Sequence, residues 1–165
     1  MTTPKELFTL SVFTENKPGL LHRISALLSR RRINLESIAI SASEKQGVHK
    51  YILVFEAERE QALKITAQID KQVEELSVRI HTDQDLVHQE LALFKLELLA
   101  VPEAMLDQIL KQERAHILEL GAEYVVIEKT GRPNELQSLF EKLKPFGMIE
   151  FSRSGRVSVA RKQVF

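Results

Sequence analysis

The sequence predicts an α+β protein built from two ferredoxin-like βαββαβ domains, spanning residues 1–83 and 84–165. Three observations lead there. Apolar residues alternate with period two in some segments and recur at helical spacing in others. These segments run strand, helix, strand, strand, helix, strand up to residue 82, and then the same order begins again. Composition is globular, with 44% hydrophobic and 28% charged residues in a chain of 165, enough for two small domains with modest cores.

Residues 7–13, "LFTLSVF", place Phe8, Leu10 and Val12 on one side and Thr9 and Ser11 on the other, as in a half-buried strand. From Pro18 to about Arg31, Leu20, Leu21, Ile24, Leu27 and Leu28 form one apolar helix face, with Pro18 suited to the first helical position. Residues 33–42 and 47–57 read as strands joined by the polar "SEKQ", which predicts a hairpin. Ala62, Ile65, Ile69 and Val73 mark a second helix, and 76–82 a fourth strand. The second domain opens with a long strand, 89–101. In it Leu91, Leu93, Lys95 and Glu97 alternate against Ala92, Phe94, Leu96 and Leu98. A short helix (104–112), the strands "AHILEL" and "EYVVIEKTG" around Gly121, and a helix over 134–146 follow. "MIEFSR" and "RVSVAR" are read together as the source of the last strand. The repeat is one of element order, not of sequence, and the join is expected near "DQDLVH" (83–88). Each such unit leaves a sheet face and sheet edges to be covered, which predicts a homodimer or larger assembly.

Charge and composition exclude several classes. Lys plus Arg equals Asp plus Glu, 23 each, so bulk charge favours neither nucleic acid nor an anionic membrane as a partner. Cysteine is absent, which removes disulfide and thiol chemistry. The start, "MTTPKE", is polar, no apolar signal core follows it, and no apolar run approaches a membrane span of roughly 18 residues. The expected location is the cytoplasm. The five histidines, His22, His49, His81, His88 and His116, lie on different elements without metal-ligand spacing. Neither a P-loop nor GxGxxG occurs. Ser25, Ser29 and Ser37 lack a nucleophile elbow. An RNA-recognition use of the fold would place stacking aromatics on central strands. Tyr51 and Phe55 lie on the third strand, but its Gly-containing aromatic signature is missing. No catalytic residue and no metal site is expected.

The stretch "TENKPGLLHRISALLSRRRINLESI" (14–38) carries the functional signal. A helix start presents unpaired N–H groups and partial positive charge, a natural seat for a carboxylate. Gly19 lets a ligand approach the backbone closely, and Asn16 offers an amide donor and acceptor. The competing reading is ordinary capping and turn chemistry, which uses the same residue types. Arg30, Arg31 and Arg32 read either as a solvated helix end, favourable to the helix dipole, or as a partner or anion contact.

"FTLSVFTENKPGLLHRISALLSRRRINLESIAIS" resembles the start of the small regulatory subunit of acetolactate synthase (acetohydroxyacid synthase). The match rests on Glu15, Asn16, Gly19, Leu20 and Leu21, then Asn34, Leu35, Glu36 and Ser37. It continues through "HQELALFKLELLA" and "SRSGRVSVAR". The resemblance implies that the first domain is an ACT domain. ACT domains pair side by side and bind an amino-acid effector, typically valine in this family, at the interface. It implies effector-binding roles for Asn16, Gly19 and Asn34, with Leu20 and Ile33 as apolar or backbone neighbours. It further implies a non-catalytic subunit that activates the catalytic subunit and conveys feedback inhibition by a branched-chain amino acid. Thiamine diphosphate, Mg2+ and FAD would belong to that partner. Two features depart from the family. Arg32 stands where many members have Gly before the second strand, and His49-Lys50 replaces Ser-Arg on the third. The alternatives are an ACT-domain sensor with another partner and a structural module without ligand.

Overall fold

The computed structural model describes residues 4–72 and 75–162. The chain divides into two compact units: Met1–His88 with Arg156–Phe165, and Gln89–Gly155. In the first, β1 (Glu6–Glu15), α1 (Leu20–Arg30), β2 (Leu35–Ala42), β3 (Val48–Ala57), α2 (Arg59–Gln72) and β4 (Glu75–His81) follow in order. The sheet order is β2-β3-β1-β4, with the antiparallel pairs β1–β3, β1–β4 and β2–β3. In the second unit, the body of β5 (Leu86–Glu97) is followed by α3 (Glu103–Glu113), β6 (His116–Leu120), β7 (Tyr124–Gly131), α4 (Pro133–Leu143) and β8 (Met148–Arg153). Its order, β6-β7-β5-β8, repeats that of the first sheet. Both units are therefore ferredoxin-like, and the protein is α+β.

Alternation along the strands builds both cores. Phe8, Leu10 and Val12 of β1 and Tyr51, Leu53 and Phe55 of β3 face α1 and α2. There they meet Leu20, Ile24, Leu27, Leu28, Ala62, Ile65 and Ile69. Each such large apolar side chain contributes about 1.5–3 kcal/mol by leaving water. The second core joins Ala92, Phe94 and Leu96 to Val125, Ile127, Leu106, Leu136, Leu139 and Leu143. Val73, read as part of the second helix face, lies outside the described residues.

Element limits differ from the sequence reading in several places, among them the end of α4 at Leu143 and the start of β2 at Leu35. The first helix begins at Leu20, not Pro18, because Gly19 takes a left-handed conformation that no helix continues. The long strand of the second domain ends at Glu97, where a 3-10 turn, Leu98–Ala100, turns the chain toward Pro102 and α3. "RVSVAR" does not complete the strand made by "MIEFSR". It supplies a separate strand, β9 (Val157–Ala160), which pairs with β5, and Arg161 N–H donates to the Asp85 carbonyl at 2.9 Å.

The expected division at residue 83, with all of 84–165 in one domain, differs from the observed units at 84–88 and 156–165. The physical cause is Arg156. Its side chain is 2% exposed, and its guanidinium donates to Thr9 Oγ1 at 2.7 Å and to Asp83 Oδ1 at 2.6 Å. Asp83 Oδ2 also lies 3.6 Å from His88 Nε2. The Lys50 ammonium donates to the Ser158 carbonyl at 2.6 Å. A buried cation must keep its anion and hydrogen bonds, so the segment after Gly155 belongs with β1 and β3. Burial lowers the Lys50 pKa, and nearby Glu44 opposes the shift.

Candidate functional site

After Glu15, the last residue of β1, the chain reaches α1 through Asn16, Lys17, Pro18 and Gly19, all exposed like Glu15 itself. Lys17 N–H returns to the Glu15 carbonyl at 2.9 Å, and the two side chains pair at 3.2 Å. Gly19 has φ 81° and ψ −4°, and a Cβ there would meet nothing within 4 Å. Only glycine takes this backbone without strain, so the constraint at Gly19 is conformational, and the space beside it is open.

The helix start is chemically bare. The first intrahelical bond, Arg23 N–H to the Gly19 carbonyl at 3.1 Å, leaves the N–H groups before it without helical partners. No side chain caps them, and no acidic residue lies in the first turn. Each of the other three helices has one there: Glu60 in α2, Glu103 in α3 and Glu135 in α4. Asn16 is exposed and, among the described residues, makes no hydrogen bond with its side chain. It is therefore not the cap of α1.

The far end of α1 closes by a Schellman turn. Arg32 N–H donates to the Ser29 carbonyl at 2.9 Å and Ile33 N–H to Leu28 at 3.1 Å. Arg32 takes the glycine position of this turn with φ 54°, at a cost of roughly 1–2 kcal/mol for a side chain in that region. Offsetting bonds lie beside it. Arg31 Nε donates to Gln68 Oε1 at 2.9 Å, and Gln61 Nε2 donates to the Arg31 carbonyl at 2.8 Å. Arg31 thus ties α1 to α2, whereas Arg32 is exposed.

The five residues singled out in the sequence fall into three places. Asn16 and Gly19 sit at the start of α1. Leu20 and Ile33 are 1% and 5% exposed and belong to the core, so their side chains face away from solvent. Asn34 is exposed just before β2, and its side chain makes no hydrogen bond among the described residues. Register shows which end is which. Glu15 pairs with Val48 and Ala42 with His49, whereas Leu35 pairs with Phe55, itself beside Phe8. Asn16 and Asn34 therefore lie at opposite ends of the sheet. They are separated by a helix of 11 residues, about 16 Å at 1.5 Å per residue.

The sequence predicts sheet edges to be covered, and β2 is one of them. It is an edge strand with one neighbour, β3. It carries small or apolar residues, including Ile40 at 43% exposure, and Glu36 is its one charged residue. No proline or lysine blunts it. Among the described residues, no three His, Asp or Glu side chains converge as a metal site, and no helix is long and apolar enough to cross a membrane.

Known proteins share both halves of this architecture. Residues 8–74 match the ACT domain family, and residues 89–162 match the family described as small subunit of acetolactate synthase. An acetolactate synthase small subunit of Mycolicibacterium smegmatis is 35% identical over 153 residues, covering 93% of this chain and 90% of that protein. One from Bacillus subtilis is 34% identical over 158 residues, 95% of this chain and 91% of that protein. The crystal structure of an acetolactate synthase small subunit from Thermotoga maritima superposes with a TM-score of 0.85 at 25% identity, covering 96% of this chain and 99% of that one. With sequence relatedness along almost its whole length and the same two-unit fold, the chain belongs to the acetolactate synthase small-subunit family.

Proposed function

We propose that this chain is a non-catalytic regulatory subunit that activates the catalytic subunit of acetolactate synthase. In this reading it conveys feedback inhibition by a branched-chain amino acid, valine first. The observation that carries the proposal is the bare start of α1, which alone among the four helices lacks an acidic first turn. An amino acid brings the missing carboxylate to those N–H groups, and the open space at Gly19 admits it.

Asn34 joins this seat through a second copy. Two β2 edges paired antiparallel about a twofold axis place the partner's β2 start beside the Ala42 end of the first copy. That is the end from which the Glu15–Gly19 turn projects. Asn16 and Gly19 of one protomer and Asn34 of the other then flank one ligand, with two such sites per dimer. A ligand bound between two protomers binds one arrangement of them better than another, which is what allosteric control requires. Thiamine diphosphate, Mg2+ and FAD are assigned to the catalytic partner, and no residue of this chain is assigned to them.

Co-purification with a catalytic subunit, followed by assay of acetolactate formation with and without valine, tests the proposal. The expected result is higher activity in the complex and loss of the increment on adding valine. A catalytic subunit equally active with and without this chain contradicts it.

A further inference from the structure

A second concave region lies in the first unit, away from the turn at Gly19. It is a cleft of about 690 Å³ bounded by Arg79, Ile80 and His81 of β4, Gln84 and Asp85 of the following 3-10 turn, and Ala160, Arg161 and Lys162 after β9. That volume falls in the range of small-molecule sites. Three cationic side chains, Arg79, Arg161 and Lys162, border it. Among the described residues none of the three side chains makes a hydrogen bond or ion pair. The chain as a whole balances its charges, 23 against 23, so this local excess is not a reflection of general basicity.

Of the two carboxylates in the turn Asp83–Asp85, Asp85 lines the cleft, and both already accept hydrogen bonds from the protein. Asp83 accepts from Arg156 and lies beside His88. Asp85 accepts through one oxygen, Oδ2, from both the Thr82 N–H at 2.8 Å and the Thr82 hydroxyl at 2.7 Å. These two hydrogen bonds are the leading reason its pKa is lowered. His81 is pushed toward its neutral form, first by burial and then by Arg79 and Lys50, against the pull of Asp85. A neutral imidazole and the Gln84 amide each offer a donor and an acceptor beside the three cations.

We infer that this cleft binds a small polyanion, a molecule carrying two or more phosphate or carboxylate groups. Two arginines and a lysine without carboxylate partners can engage such groups by charge-assisted, partly bidentate hydrogen bonds. A single charge does not occupy all three. The inference is independent of the effector seat at Gly19.

The test is calorimetric titration of the full chain with pyrophosphate and with citrate at constant ionic strength, alongside phosphate and acetate. Saturable binding of pyrophosphate alone identifies phosphate chemistry, and of citrate alone carboxylate chemistry; either supports the inference. The double substitution Arg79→Gln and Arg161→Gln should weaken that binding roughly tenfold or more, with valine titration unchanged. Should the double variant lose its melting transition, the two single variants decide, each expected to weaken binding severalfold. Absence of saturable binding by both polyanions at millimolar concentration overturns the inference. So does wild-type affinity in folded variants, or equal affinity for acetate and citrate.

Discussion

In the first unit the chain passes from β1 to α1 through four exposed residues and enters the helix with no acid in its first turn. In the second it passes from β5 to α3 through the 3-10 turn Leu98–Ala100 and Pro102, and Glu103 stands in the first turn. The strand orders are the same, and both first helices end with an arginine at positive φ, Arg32 and Arg114. What differs is whether the chain itself supplies negative charge to the helix start. Where it does, as in the second unit, Glu103 sets negative charge beside the positive end of the helix dipole. Where it does not, the N–H groups of the first turn have neither a capping side chain nor an acid beside them, and there the proposed function seats a ligand carboxylate. A shared topology thus leaves one helix start without an acid and gives the other one, and the proposed ligand seat uses the first.

The comparison can be broken most severely at Arg156, which the first unit uses and the second does not. Arg156→Ala leaves Asp83 and Thr9 without their buried donor. It should destabilise the first unit by about 2–4 kcal/mol, somewhat below a fully buried pair because Asp83 is half exposed. Hydrogen exchange read by unit checks this: amides of β1 and β3 lose protection, while those of β5 and β7 keep theirs.

Next in size is the effector seat. Asn16→Ala and Asn34→Ala should each weaken valine binding by about 1–3 kcal/mol, since on the proposed function each removes an amide that the ligand would bury. Thermal midpoints should not move, because neither side chain bonds to the described protein. A capping role predicts the reverse, a lower midpoint with unchanged binding.

The arginines at positive φ offer a change that both units should feel alike. Arg32→Gly and Arg114→Gly should each stabilise the protein by roughly 1 kcal/mol, because glycine takes that backbone region without strain. Denaturant melts of the two variants check the expectation. The smallest effect makes the first helix resemble the second. Leu21→Glu, at a position 42% exposed, places an acid in the first turn of α1. It should add about 0.5 kcal/mol of stability while weakening valine binding by repelling its carboxylate. Paired melting and titration measurements show whether the two effects move in opposite directions.

Much of this was legible in the sequence because the relevant signals are local. Period-two alternation in β1 and β5 and the helical spacing of Leu20, Ile24, Leu27 and Leu28 announced both cores. Asn16, Gly19 and Asn34 were readable as unusual residues at helix ends. What sequence did not reveal is set by contacts distant along the chain. Arg156 sits 147 residues from Thr9, so no local pattern assigns the last strand to the first unit. Gly19 looked like a weak first-turn residue, whereas its φ of 81° ends the turn before the helix starts. Leu20 on the apolar face of α1 and Ile33 just after the helix both turn their side chains into the core, so a ligand beside them would meet their backbone. Register was needed to show that Asn16 and Asn34 stand at opposite ends of one sheet.

The central claim is that one effector site takes Asn16 from one protomer and Asn34 from the other. Mixing the two binding-defective variants tests it directly. When Asn16→Ala and Asn34→Ala chains are unfolded together, refolded as a one-to-one mixture and titrated with valine, half of the dimers are mixed. In each mixed dimer one of the two sites keeps both amides. The account predicts that wild-type-affinity binding returns at roughly a quarter of the sites, although neither variant alone shows it. A mixture that binds no better than its separate components contradicts a site shared between protomers.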